Sequence, residues 1–125
     1  AALGCAQMER LDEILSVKAE VAGKWVSFFE QLDVEIVKGV LGNKPNHWLN
    51  AIILNCREDR DEFLKLTNDS NVMTRPIWML MSKLPMFKDC QTDGLENSLW
   101  LEDRVVNIPS SVPDGALLPY SGSQK

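Results

Sequence analysis

The chain has 125 residues, 45% hydrophobic and 25% charged, the size and make-up of one ordinary globular domain with its own core. A net charge of −5 with no dense Lys/Arg cluster excludes a nucleic-acid-binding surface. Three scattered cysteines (Cys5, Cys56, Cys90) and a lone histidine exclude a disulfide framework and a clustered zinc site, and point to a reducing, cytoplasmic setting. No apolar run reaches the roughly 18 residues of a membrane span.

The chain opens Ala1-Ala2-Leu3-Gly4-Cys5-Ala6, with no initiator methionine and no polar lead-in, which predicts a segment taken from within a longer protein. From there to about Leu32 the pattern predicts one long amphipathic helix. Leu11, Ile14, Leu15, Lys18, Ala22, Trp25, Val26, Phe29 and Leu32 recur at steps of three and four, with only Lys18 breaking the apolar face. Such a helix would be roughly 45 Å long. Gly23 inside it marks a close packing point or a bend.

Val34 to Val37 alternates as a short strand, and Gly39 to Pro45 is a turn region. Trp48 to Leu54 is largely apolar and reads as a buried strand. Arg57 to Asn68 predicts a helix of about three turns. Asn71 to Met79 predicts a strand that Pro76 confines to an edge or a bulge. Pro85 to Gly94 is a loop, Leu95 to Asp103 a short helix, and Val105 to Pro109 a last strand. The order from Trp48 onward, β-α-β-α-β, gives two crossover-like units. The fold class is therefore α+β: a long N-terminal helix and a small, mainly antiparallel sheet with covering helices. Residues 1–118 form the domain and 119–125 a polar tail.

No isolated catalytic signature is present, but several longer phrases are. Ala2-Leu3-Gly4-Cys5-Ala6-Gln7-Met8-Glu9, Asn46-His47-Trp48-Leu49-Asn50-Ala51-Ile52-Ile53-Leu54, Val72-Met73-Thr74-Arg75-Pro76-Ile77-Trp78, and Trp100 to Ser111 occur in that order. Together they resemble the C-terminal small domain of the DegT/DnrJ/EryC1/StrS sugar aminotransferases, in particular the LegC-like branch. The resemblance implies a pyridoxal-phosphate-dependent, dimeric enzyme that moves an amino group from glutamate to a 4-keto sugar nucleotide. It implies an upstream large domain that holds the cofactor and the aldimine lysine. None of Lys18, Lys24, Lys38, Lys44, Lys65, Lys83, Lys88 and Lys125 stands in the family's lysine motif, so the chain alone is expected to be inactive. Many relatives carry a histidine shortly after TRP-x-W. Here the run is Met79-Leu80-Met81-Ser82-Lys83, which leaves that role vacant or passes it to Ser82 or Lys83.

Four residues are candidate substrate contacts. Arg75 offers a bidentate guanidinium to a carboxylate or diphosphate, against an alternative as a surface salt bridge. Trp78 offers a stacking face, against a place in the core. His47 has a pKa suited to acid–base work, against a solvated or capping role. Asn50, in an apolar strand, needs a hydrogen-bond partner. Trp25, Phe28 and Phe29 read as packing, and Met79, Met81 and Met86 as core or interface filling. The acidic run Glu58 to Glu62 sits at a helix start, where the helix dipole favours it without a metal. A reading that competes with the severed domain is a free-standing protein-interaction module with no catalytic activity.

Overall fold

The computed structural model describes residues 2–117, so the polar tail assigned to 119–125 lies outside the described residues. In chain order the elements are α1 (Ala2–Met8), α2 (Leu11–Glu30), β1 (Glu35–Ile36), β2 (Asn50–Ile53), α3 (Arg57–Asp69), β3 (Arg75–Pro76), a 3₁₀ turn at Met81–Lys83, α4 (Glu96–Glu102) and β4 (Val105–Ile108).

The long N-terminal helix is in fact two. After Met8 the bonding tightens, with the Arg10 N–H donating to the Gln7 carbonyl at 3.1 Å, before α2 begins at Leu11. α1 buries none of its residues, so no core packing among the described residues aligns it with α2. α2 anchors through Ala22 and Phe29. Lys18, the interruption in its apolar face, donates its ammonium to the Ser110 carbonyl, and Trp25 Nε1 donates to the Pro109 carbonyl at 2.8 Å. The two donors sit two turns apart and tie α2 to the exit of β4.

The sheet order is β1-β2-β4-β3 and every neighbouring pair is antiparallel. β2 and β3 therefore run in the same direction with β4 between them, and β2-α3-β3 is a true crossover. The second expected crossover does not exist, because β3 and β4 are direct antiparallel neighbours joined through α4. Side chains alternate along each strand, so register decides the core. Ile36 lies opposite Ile52, and Ile52 opposite Val106, making one buried row across three strands. Phe29, Trp25 and Val26 of α2, with Phe63 and Leu64 of α3, pack onto that row.

Two strands are shorter than their sequence patterns. Trp48 and Leu49 precede β2 and are exposed, because the chain bends at Trp48. The stretch from Asn71 to Met79 pairs only at Arg75 and Pro76, on the sheet edge that the proline demanded. Thr74 just before it is buried, sharing a 2.6 Å hydrogen bond with the Thr67 hydroxyl, which fastens β3 to the end of α3. Glu58 and Asp59 fall in the first turn of α3, where Cys56 caps the helix by accepting from the Asp59 N–H at 3.5 Å.

Candidate functional site

A cleft of about 560 Å³ opens between α2 and the segment that leads into β2. Small residues make the room: Ala19, Ala22 and Gly23 form the helix wall. A Cβ added at Gly23 would meet nothing within 4 Å, so this glycine marks open space rather than close packing. The opposite wall is shaped by a compact turn. A Cβ at Gly39 would come 3.1 Å from the Pro45 ring, so a side chain there would have to push the ring back by a few tenths of an ångström. Beyond Pro45, Asn46 Oδ1 accepts the Trp48 N–H at 3.0 Å, an Asx turn that holds His47 in the left-handed region at φ 49°.

His47 and Asn50 both line this cleft, as does Trp48. Asn50 is 7% exposed. Its backbone N–H donates to Ser110 Oγ at 2.7 Å, and that hydroxyl in turn donates to the Ile108 carbonyl at 2.8 Å. Its side-chain Nδ2 is buried with no hydrogen-bond partner. The backbone N–H is thus fixed while Nδ2 is enclosed without a partner.

Trp78 is exposed rather than core, and meets Trp48 with ring centroids 6.1 Å apart. Trp48 precedes β2 and Trp78 follows β3, so the pair joins two segments far apart in sequence. Arg75 is not brought into the cleft. It stands exposed on β3, at the opposite edge of the sheet from β1, with Met73 Sδ 3.8 Å from Nη2. Met79, Met81 and Met86 are exposed and fill no core in this chain.

Lys83 is committed elsewhere. Its ammonium pairs with Glu102, whose other oxygen accepts the Leu80 N–H at 2.9 Å. The Glu102 carbonyl accepts from Arg60 Nη1 at 2.6 Å. Burial alone would push the Glu102 carboxyl up, but the Lys83 and Leu80 donors outweigh it and hold it below the usual glutamate range. This cluster pins the chain just after Trp78. Neither Glu102 nor Trp48 nor Ser110 stood out in the sequence, because a lone glutamate, tryptophan or serine carries no pattern.

Residues 1–113 match the DegT/DnrJ/EryC1/StrS aminotransferase family. The chain belongs to that family. It is 28% identical to a GDP-perosamine synthase of Vibrio cholerae over 113 residues, covering 88% of this chain and 31% of the relative. With a GDP-perosamine synthase of Escherichia coli O157:H7 the identity is 29% over 112 residues, covering 88% and 30%. The chain thus spans about a third of the length of these relatives. Among solved structures, the sugar aminotransferase CalS13 from Micromonospora echinospora matches at 25% identity with a TM-score of 0.74, covering 88% of this chain and 29% of that one. The α+β fold with its small antiparallel sheet is that of a sugar aminotransferase segment.

Pyridoxal phosphate, the cofactor the family implies, does not fit the described residues on their own. It needs a lysine amine and a carboxylate converging on one ring. Lys38 lines the cleft but is paired with Glu30, and the lining holds no carboxylate. Lys24 lines a second groove with Trp25, Phe28 and Pro109, again without a carboxylate. Lys18 is spent on the Ser110 carbonyl, and Lys65 on Asp69.

Proposed function

We propose that this chain is the C-terminal small domain of a pyridoxal-phosphate-dependent aminotransferase that moves an amino group from glutamate to a 4-keto sugar nucleotide. In this reading it closes over the substrate, contributes to the interface of a homodimer, and transfers nothing alone. An upstream large domain holds the cofactor. The observation that carries the reading is a family match over nearly the whole chain that accounts for only about a third of the relatives' length. Two features support it. The one lysine that lines the main cleft, Lys38, is tied to Glu30, and Leu3, Met8, Trp48, Trp78, Met79, Met81 and Met86 stay exposed among the described residues. His47, Asn50, Trp78 and Arg75 are the proposed substrate contacts. The free cysteines Cys5, Cys56 and Cys90 suit a cytoplasmic setting, and no helix among the described residues is long and apolar enough to cross a membrane.

The test is an absorbance scan with added pyridoxal phosphate, before and after borohydride. The chain alone is expected to give no stoichiometric band that borohydride fixes on one peptide. Fused behind the large domain of a GDP-perosamine synthase, it is expected to support transfer. A stoichiometric, reducible adduct on one lysine of the isolated chain would overturn the severed-domain reading.

A further inference from the structure

Trp78 is one of the proposed substrate contacts, yet its indole is 66% exposed, so burial does not fix where it stands. The register of the sheet edge shows what does. Arg75 lies opposite Asn107 and Pro76 opposite Val106, and the Ile77 N–H continues the pairing by donating to the Val105 carbonyl at 3.2 Å. Counting on in the same register brings Leu80 opposite Glu102. There the facing chain is the last turn of α4 and offers no strand backbone. Its carbonyl at Glu102 is also taken, by Arg60 Nη1 at 2.6 Å.

The Glu102 side chain spans the gap instead. One carboxylate oxygen accepts the Leu80 N–H at 2.9 Å, and the other pairs with the Lys83 ammonium. The side chain is 11% exposed, and hydrogen bonds to an ionised acceptor contribute more than neutral ones. The Ile77 and Leu80 amides are thus anchored three residues apart, with Trp78 and Met79 strung between them. Across the sheet, the Asx turn at Asn46 fixes the backbone of Trp48. Two exposed indoles are therefore held with centroids 6.1 Å apart by polar anchors on their backbones, away from the core. A side chain placed in this way before a partner arrives spares the cost of ordering it on binding.

We propose that Glu102 is the positioning residue of the Trp48–Trp78 pair: its carboxylate holds the Leu80 end of the segment that carries Trp78, and without it Trp78 leaves Trp48. Glu102 is not itself a substrate contact. The proposal rests on the reading above only for the use to which Trp78 is put.

The experiment is ¹H NMR of the full 125-residue chain, reading the nuclear Overhauser contacts between the Trp48 and Trp78 rings. Glu102→Ala is expected to abolish them while the contacts between Asn50 and Ile108 persist. Glu102→Gln keeps an acceptor oxygen without the charge. It is expected to retain the ring contacts, with amide exchange at Leu80 faster by about ten-fold. Lys83→Met leaves the Leu80 bond in place and is expected to retain them too. If Glu102→Ala does not fold, Glu102→Asp takes its place with the same expected loss, since it draws the carboxylate back by one methylene. Ring contacts at wild-type strength in the Ala or Asp variant overturn the proposal. So does their loss in Lys83→Met, or a loss that comes only together with the Asn50–Ile108 contacts. The parent reading fails separately. Fused behind the large domain of a GDP-perosamine synthase, Glu102→Ala is expected to raise KM for the sugar nucleotide with little change in kcat. An unchanged KM beside lost ring contacts would keep Glu102 as the positioning residue and discard Trp78 as a substrate contact.

Discussion

The centre of the sheet and the stretch from Ile77 to Gly94 are built on different terms. In β2 and β4, Ile52 and Val106 are fully buried and lie opposite each other, with Phe29 packed over them. After β3, Trp78, Met79, Met81 and Met86 are 61–71% exposed, and the chain is held by the polar cluster at Glu102. The centre rests on apolar area within the chain. The second region keeps its shape through a few directed bonds while its apolar side chains face outward. Under the proposed small-domain reading, this outward apolar face is the one a larger neighbour would cover.

The largest effect should come from the centre. Ile52→Ala should destabilise by about 2–5 kcal/mol, read as a lower urea midpoint with an unchanged slope. A loss under about 1 kcal/mol would mean that the two regions are less different than their burial implies. Glu102→Gln comes next, at about 1–3 kcal/mol, because the Leu80 N–H and the Lys83 ammonium lose a charged acceptor. Its signature is faster amide exchange at Leu80 to Leu84 with the β2–β4 amides unchanged. Equal loosening of both would dissolve the comparison.

The pH dependence follows from the same group. The folded Glu102 carboxyl is held below its ordinary value, near 4.3, so its contribution is complete above that value. It is lost as pH falls through the depressed folded value. The drop in melting temperature between about pH 5 and pH 2 should be smaller in Glu102→Gln than in the wild type.

Smaller still, Gly23→Ala should stabilise by about 0.5–1 kcal/mol, since the added methyl meets nothing within 4 Å and alanine is the better helix former. Trp78→Ala should cost least, about 0.5–1.5 kcal/mol from its contact with Trp48, seen by thermal unfolding.

Much of the fold was legible in hydrophobic period and turn chemistry. Pro76 confined its strand to an edge, and the apolar run through Ile52 announced a buried strand. The break at Glu9 and Arg10 was not legible, because the apolar period runs on through it while α1 buries no residue. The second crossover was misread because order along the chain does not say which strand is inserted between which. Of the cleft lining, His47 and Asn50 were singled out in the sequence by their residue types. Trp48 was hidden inside a strand pattern, and the distance of Arg75 from the cleft depends on sheet order, which local sequence does not encode.

That sheet order has a further consequence, for the path of folding. β4 is the last strand in sequence and sits between β2 and β3, so β3 has no sheet neighbour until residues 105–108 arrive. Ser110, just beyond, fixes both the start of β2 and Lys18 of α2. During synthesis, at about 5–20 residues per second, β3 waits for these residues, whereas β1 and β2 can already pair with each other. The pairing of Asn50 with Ile108 joins residues far apart in sequence, the kind of non-local contact that slows folding.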